Sequence, residues 1–443
     1  MQGVHEPAAS GVSLSNGLPS NQIGRKSLVG LIKSCQNLKD LKKARRIVNQ
    51  NEVYNSKDIH VSTALLSLYA KCGEMGDAQK LFDILPVRDL VAWNTLITGF
   101  SKQDSGHNIA LKCYRLMCEE AILPDAVTFS CLLKACSCSG DLSVGKEIHA
   151  MVISRGLLKR NIILGTALVD MYAKCNVVRA AEKVFDELLI RNIISWNAMI
   201  SGFSRHELFD EALFCFRKMQ NEGISPNLVT FLCVIKACAG KGSLEVGEEI
   251  HSQVMDHGFL LEKDMVLGTA LVDMYAKCGV LKKAQEVFNE LLVKTIVTWN
   301  FLIGGYAQLG DDKMVFTSFN KMIEGDINPD QVTFLSLLTT CIHSGQLELG
   351  IDCFIIMYSI YGIIPTIEHV ICMIDLYGRA GHFEKVVSMI IEMPFLANLA
   401  LWQIVLGACQ KWGNSKLGKM AFEFAVQLDE RDVASYILMS NIY

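Results

Sequence analysis

The stretch LGTALVDMYAKC occurs at Leu164–Cys175 and again, letter for letter, at Leu267–Cys278. A looser third copy occupies Val61–Cys72, and the final cysteines of successive copies lie 103 residues apart. A period this regular indicates an array of repeats rather than one globular core.

Each copy predicts a helix that is followed by a second helix. One apolar stripe recurs at helical spacing in the middle copy: Leu168, Met171, Tyr172 and Cys175. The same spacing recurs just downstream: Ala181, Val184, Phe185 and Leu188. A residue type that tolerates the left-handed conformation follows each copy, so the first helix should end there: Gly73, Asn176 and Gly279. Such a hairpin cannot bury both stripes alone, and the sequence therefore predicts an all-α solenoid of stacked helix-turn-helix hairpins.

Composition limits the classes of function. The 443 residues are 51% hydrophobic and carry a formal net charge of −4, which argues against a diffuse basic coat but permits a local basic stripe. No apolar run approaches the roughly 18 residues of a membrane helix. The 16 cysteines include no Cys-x-x-Cys pair, so we expect buried packing residues in a reducing compartment and no metal site. Residues 1–24 are rich in Ser, Gly, Asn and Pro, which predicts a disordered or weak targeting segment.

Two further hairpins fill each interval of the repeat. One opens at a tryptophan that recurs every 103 residues, at Trp93, Trp196 and Trp299, and Trp402 falls on the same period. The other opens at Phe129, Phe231 and Phe334, and each of these is preceded by a proline at which a helix cannot continue: Pro124, Pro226 and Pro329. Each period thus contains three hairpins.

This triple pattern resembles the plant pentatricopeptide-repeat proteins of the PLS class, in which long, short and standard motifs alternate. The resemblance rests on Met-Tyr-Ala-Lys-Cys in short motifs, Trp-Asn-x-(Leu/Met)-Ile in standard motifs, and Lys-Ala-Cys followed by Gly-x-x-Ile-His in long motifs. It implies a right-handed α-solenoid and divides the chain from residue 25 as long 25–58, short 59–89, standard 90–125, long 126–161, short 162–192, standard 193–227, long 228–264, short 265–295, standard 296–330, long 331–366 and short 367–398. Residues 399–432 resemble the first E motif of the family, and residues 433–443 resemble the start of a truncated second one, without a DYW domain.

The thirteenth residue of the short and standard motifs is basic in six of seven cases. These six residues predict a stripe that contacts an RNA backbone: Lys71, Lys102, Lys174, Arg205, Lys277 and Arg379. The simpler interpretation is that cations near helix C-termini complement the helix dipole. Their recurrence at one motif position favours the stripe.

The fifth residue is Thr in three of the four short motifs and Asn in all three standard motifs, whereas the last short motif has Ile371. Amide and hydroxyl groups can read the edge of an unstacked base, although a local cap or turn hydrogen bond is the simpler role. The resemblance implies that the fifth and last residues of a motif specify one base together. The candidate base-reading pairs are Thr63/Asp89, Asn94/Asp125, Thr166/Asn192, Asn197/Asn227, Thr269/Thr295 and Asn300/Asp330. By the family's code they imply G, U, A, a pyrimidine, a purine and U, within a core G-U-n-A-Y-n-R-U-n-n.

No constellation typical of an enzyme is present in the sequence. His382-Phe383-Glu384 has the first spacing of a zinc deaminase, but the Cys-x-x-Cys that should follow is missing. We therefore expect a non-enzymatic protein without cofactor or metal.

The resemblance implies a sequence-specific binder of single-stranded RNA in a plant organelle, with the mitochondrion slightly favoured over the chloroplast. It would select a cytidine for C-to-U editing and recruit a DYW-type deaminase in trans, together with multiple organellar RNA editing factors and without a membrane partner. Two alternatives stay open: a factor for RNA cleavage, splicing or stability, and a protein-binding helical scaffold.

Overall fold

The computed structural model describes residues 59–158, 161–259, 264–393 and 397–442, together with Gly30. Within those residues all regular secondary structure is helical, with 23 helices and no strand. None of these helices is long and apolar enough to cross a membrane. The predictions for residues 1–24 and, apart from Gly30, for the motif at 25–58 lie outside the described residues.

The helices alternate between the first and the second helix of successive hairpins. The first helices are α1 (Ile59–Cys72), α3 (Leu90–Ser101), α5 (Ala126–Ser139), α7 (Ile162–Lys174), α9 (Ile193–Arg205), α11 (Leu228–Lys241), α13 (Met265–Lys277), α15 (Ile296–Leu309), α17 (Gln331–Ser344), α19 (Ile367–Arg379), α21 (Leu399–Trp412) and α23 (Val433–Ser440). The second helices are α2 (Met75–Asp83), α4 (His107–Glu119), α6 (Leu142–Ser154), α8 (Val178–Glu187), α10 (Phe209–Asn221), α12 (Leu244–Asp256), α14 (Leu281–Glu290), α16 (Asp312–Glu324), α18 (Leu347–Ser359), α20 (Phe383–Glu392) and α22 (Ser415–Leu428). The assignment of hairpins to long, short, standard and E classes stays a prediction.

Glycine and asparagine end the first helices of the short hairpins as predicted. Gly73, Asn176 and Gly279 have φ values of 80°, 62° and 76°. This left-handed conformation stops the helix and turns the chain into the second helix, with little cost for glycine and a tolerable one for asparagine.

The chain divides into two compact units, residues 1–202 and 203–443. In the first unit, the first helices α1, α3, α5 and α7 pack side by side, and each second helix packs between consecutive first helices. The core of this unit contains Trp93, whose ring meets Phe82 edge to face at 4.6 Å, and Trp196, which meets Phe185 in the same way at 4.7 Å. Aromatic pairs of this geometry stabilise a fold beyond the area that they bury.

The predicted apolar stripes lie in this core. Leu168 and Met171 are fully buried, and Tyr172 and Phe185 are nearly so. Cys175, the last member of the first stripe, is half-buried. The stripes and the hairpin that they predicted are confirmed.

The second unit repeats the arrangement from α10 to α23. Its first helices from α11 to α21 pack side by side, and α23 packs on α21 and α22. Phe288 meets Trp299 edge to face at 4.5 Å, and Trp402 stacks on Phe424 at 4.7 Å. The predicted all-α solenoid of stacked hairpins is confirmed.

Candidate nucleic-acid interface

Residues of the first helices α1, α3 and α5 line an open surface cavity of about 280 Å³. Its lining includes one predicted base reader, Asn94, and two predicted backbone cations, Lys71 and Lys102. It also includes the apolar side chains of Val91 and Val127. A hydrogen-bonding amide, two cations and two apolar walls therefore share one cavity, which suits a base with its phosphate.

Asn94 is held in a hydrogen-bond network that fixes the direction of its amide. Its Nδ2 donates to Asp125 Oδ1 at 3.0 Å, and its Oδ1 accepts from Thr128 Oγ1 at 2.6 Å. Each end of the amide keeps one further hydrogen-bonding position, because the amide has two N–H groups and its oxygen has two lone pairs. Asn94 can therefore offer one donor and one acceptor side by side to a base edge.

Asp125 has two structural roles at once. Its Oδ1 accepts from the Thr128 main-chain N–H at 2.9 Å and so caps α5, while the Asp125 N–H donates to Thr128 Oγ1 at 3.1 Å to complete a capping box. Burial would raise the pKa of Asp125, but hydrogen bonds from Thr128, Asn94 and the Val127 main chain outweigh it and hold that pKa below its usual value. The carboxylate is thus an acceptor that orients Asn94.

The same network recurs in the second unit at Asn300. Its Nδ2 donates to Asp330 Oδ1 at 3.0 Å, and its Oδ1 accepts from Thr333 Oγ1 at 2.6 Å. Asp330 also caps α17 by accepting from the Thr333 main-chain N–H at 2.9 Å. The two pairs that the sequence assigns to U are therefore built alike.

The threonine pairs are different. Thr269 Oγ1 donates to the Met265 carbonyl of its own helix at 2.7 Å, which leaves its oxygen as an acceptor, while Thr295 caps α15 by accepting from the Thr298 N–H at 3.3 Å. Asn192 likewise accepts from the Ser195 N–H at 3.0 Å. The structure gives no direct hydrogen bond from Thr166 to Asn192 or from Thr269 to Thr295.

The remaining candidate readers occupy the same two motif positions, the fifth and the last. Asp89 caps α3 by accepting from the Ala92 N–H at 2.8 Å, and Thr63 lies on α1. Asn197 belongs to the first unit and is 8% exposed, whereas Asn227 belongs to the second unit and accepts from the Thr230 N–H at 3.0 Å.

The predicted basic stripe falls into two groups. Lys71, Lys102 and Arg205 are exposed, the first two in the cavity described above. The other three pair with an aspartate one turn earlier on the same helix: Lys174 with Asp170 at 2.8 Å, Lys277 with Asp273 at 2.9 Å, and Arg379 with Asp375 at 2.8 Å. A phosphate would have to compete with these carboxylates, which sequence reasoning overlooked although the i, i+4 spacing was visible.

Sequence reasoning missed two further columns at the interface. The second residue of successive first helices is a β-branched apolar side chain that is 48% to 65% exposed: Val91, Val127, Ile163, Ile194, Val229, Val266, Val297 and Val332. The third residue of several first helices carries a buried hydroxyl group. The hydroxyl groups of Thr128 and Thr333 donate to the amide oxygen of the candidate reader in the preceding hairpin and so orient it. The recurring Val-Thr-Phe that opens long hairpins was the available signal for both columns.

No cluster of His, Cys, Asp or Glu among the described residues could hold a metal ion. His382 precedes α20, and Glu384 lies in the first turn of that helix. Both side chains are exposed.

The fold defines a helical-repeat protein in which the candidate base-reading residues recur at one position of successive first helices. The PPR repeat family profile matches residues 88–138, 191–240 and 294–343, and the PPR repeat profile matches residues 61–90, 127–157, 166–193, 269–296 and 371–395. These matches span more than half of the chain. The protein belongs to the pentatricopeptide-repeat family and is of the plant type.

Relatives from Arabidopsis thaliana match along most of the chain. One pentatricopeptide repeat-containing protein, named as mitochondrial, is 37% identical over 415 residues, which are 87% of this chain and 60% of the relative. A second is 33% identical over 455 residues, covering 94% of this chain and 65% of the relative. A third, also named as mitochondrial, is 34% identical over 387 residues, which are 87% of this chain and 69% of the relative. The chain spans about half to two thirds of the length of the first relatives that it matches.

Solved structures share the fold. The crystal structure of the maize pentatricopeptide repeat protein PPR10 matches with a TM-score of 0.58 at 15% identity, over 94% of this chain and 71% of PPR10. PPR10 in complex with an 18-nt psaJ RNA element matches with a TM-score of 0.53 at 17% identity, over 94% of this chain and 66% of PPR10.

Proposed function

We propose that this protein binds single-stranded RNA in a sequence-specific manner, with one base at each reading hairpin. The observation that carries the proposal is the cavity whose lining combines Asn94 with the apolar side chains of Val91 and Val127 and with the cations Lys71 and Lys102. A base can insert between the apolar walls while the oriented amide contacts its edge and the cations meet the backbone. The complex of PPR10 with RNA, a protein of the same fold, supports this function.

The remaining pairs extend the proposal along the chain. The PLS and E assignments and the family's code lead to the core G-U-n-A-Y-n-R-U-n-n, read from the hairpin at 59–89 to the hairpin at 367–398. The recurring network at Asn300 and Asp330 supports reading the same base, U, at both Asn/Asp pairs.

In the plant, the bound RNA would place one cytidine for C-to-U editing, with a DYW-type deaminase and multiple organellar RNA editing factors recruited in trans. The resemblance of residues 399–432 to an E motif favours editing over RNA cleavage, splicing or stability. Two of the relatives above are named as mitochondrial, which favours the mitochondrion as the organelle.

Selection from a random RNA library tests the binding step. The enriched RNAs should contain the predicted core, and Asn94→Ala should remove the preference for U at its second nucleotide. Thr95→Ala is the matched control, because Thr95 lines the same cavity but is not at the predicted reading position of its motif, so the preference for U should stay. Failure to enrich any sequence would refute sequence-specific binding.

Sequencing organellar transcripts from plants that lack the protein tests the editing step. Loss of C-to-U conversion downstream of the core would support editing. Normal conversion with altered transcript ends would instead support a role in RNA cleavage or stability.

A further inference from the structure

Trp412 lies exposed at the end of α21 and forms an aromatic site outside the reading hairpins. It is 52% exposed, whereas the other four of the five tryptophans are almost fully buried: Trp93, Trp196, Trp299 and Trp402. An exposed tryptophan at the end of a well-packed helix calls for a functional explanation, since its burial would stabilise the protein.

The indole has a built support on one side. A Cβ at Gly381 would lie 3.1 Å from Trp412 Cε2 and 3.2 Å from Cζ2, so the ring packs closely on a glycine. Gly381 has a φ of 82°, a left-handed conformation that also favours glycine there. The turn between α19 and α20 therefore supports the indole ring from one side.

Two cations accompany the ring. Lys411 Nζ lies 5.5 Å from the centroid of the indole and donates to the Arg379 carbonyl oxygen at 3.0 Å. Arg379 and Lys411 each occupy the thirteenth position of their hairpin, which is the column of the predicted backbone cations. Both side chains are exposed, and the Arg379 guanidinium also pairs with Asp375 at 2.8 Å, a carboxylate with which a phosphate would compete.

We infer that Trp412, with Lys411 and Arg379, is a further nucleotide-binding site, in which the indole stacks on a base and the cations contact the adjacent phosphates. Aromatic rings and cations together are the usual means of holding single-stranded nucleic acid without reading its sequence. This inference rests on the proposed function, because the order of the hairpins places the base on the 3′ side of the predicted core. Residues 399–432 would then hold RNA directly.

Tryptophan fluorescence of the full chain tests the site without interference from the core. The probes are the RNA 5′-GUAACAGUAA-3′, which contains only the predicted core, and 5′-GUAACAGUAAAAA-3′, which extends it on the 3′ side. Because the other tryptophans are buried, a stacked base should quench the emission of Trp412. We expect quenching by the longer RNA and little by the shorter one.

Affinity measurements supply the second readout. Trp412→Ala should weaken binding of the longer RNA by roughly 5- to 150-fold, the effect of losing one stacked base, and should leave binding of the shorter RNA unchanged. Trp412→Phe should retain most of the affinity, because phenylalanine can still stack. The matched control is Phe214→Ala, which removes an aromatic side chain that is 69% exposed on the second helix α10 and should not affect binding.

The outcomes separate the two proposals. If both RNAs bind equally well, without quenching and without an effect of Trp412→Ala, the nucleotide site is refuted while the proposed function stands. If neither RNA binds, the proposed function fails and the site fails with it.

Discussion

Replacing Asp125 by alanine tests the proposed role of this residue in base reading apart from its capping role. The change removes the acceptor for the Thr128 main-chain N–H, which closes the first turn of α5 at 2.9 Å. Loss of a side-chain cap costs about 0.5–2 kcal/mol of stability. It also removes the oxygen that holds Asn94 Nδ2 at 3.0 Å, so the amide can rotate.

Asp141→Ala is the matched control, in the hairpin whose first helix Asp125 caps. Asp141 caps the second helix, α6, by accepting from the Val144 N–H at 3.1 Å, and no predicted reader donates to it. Both variants should therefore lower the free energy of unfolding by a similar amount, about 1 kcal/mol, in urea titrations. Only Asp125→Ala should affect base preference.

The assay is competition binding with RNAs that differ only at the second nucleotide of the core. A bidentate contact between an amide side chain and a base edge discriminates by about 1–3 kcal/mol, which corresponds to roughly 5- to 150-fold between the right and the wrong base. Asp125→Ala should lose most of that factor. Asp125→Asn keeps the cap but can donate to Asn94, and should shift the preference from U toward C. Equal discrimination by Asp125→Ala and Asp141→Ala would show that Asp125 is only a cap.

Three further predictions follow from the interface and the core. Asn300→Thr should shift base preference at the eighth nucleotide of the core from U toward G, and an unchanged preference in a binding selection would contradict the assignment of this pair. Lys102→Ala should reduce the slope of log affinity against log salt by about one, whereas Lys277→Ala should reduce it less because that ammonium is already paired at 2.9 Å; equal slopes would contradict this difference. Burial lowers the pKa of His149 in the folded protein below its usual value of about 6.5. Between the folded-state pKa and the unfolded-state pKa, the unfolded state binds more protons than the folded state. The free energy of unfolding should therefore decrease as pH falls through that range. His149→Phe should flatten this decrease in urea titrations at successive pH values, and a decrease as steep as in the wild type would exclude His149 as its source.

The sequence was sufficient to predict the hairpins because apolar spacing, C-terminal glycines and the 103-residue period all indicate the same elements. It predicted the buried stripe at Leu168 and Met171 for this reason. It could not predict that Val91 and Val127 are exposed, since a valine beside an apolar stripe looks like a core residue until the neighbouring hairpin is placed. Composition alone does not determine which side of a two-layer array is covered.

The candidate interface was harder to predict for a different reason. The fifth and last residues of a motif are far apart in sequence, and only stacking brings Asn94 against Asp125. The hydroxyl of Thr128, which completes the network, belongs to the following hairpin. The availability of the predicted stripe to a phosphate also depends on side-chain rotamers. Lys174 pairs with Asp170 at 2.8 Å, and it would need another rotamer to extend toward a phosphate.

The capping role of the last motif residue limits which side chains can serve in the proposed reading of bases. Every candidate reader in that column accepts a hydrogen bond from the main chain of the next hairpin: Asp89, Asp125, Asn192, Asn227, Thr295 and Asp330. Only short side chains with an acceptor oxygen close a helix in this way, so an apolar residue in this column would cost about 1 kcal/mol in each hairpin. The fifth residue carries no such requirement, and it varies from Asn94 to Leu232 and Leu335. Folding thus restricts the last residue of a motif to short side chains with an acceptor oxygen, such as Asp, Asn and Thr. Under the proposed function, the fifth residue must then supply the remaining difference between hairpins that read a base and hairpins that do not.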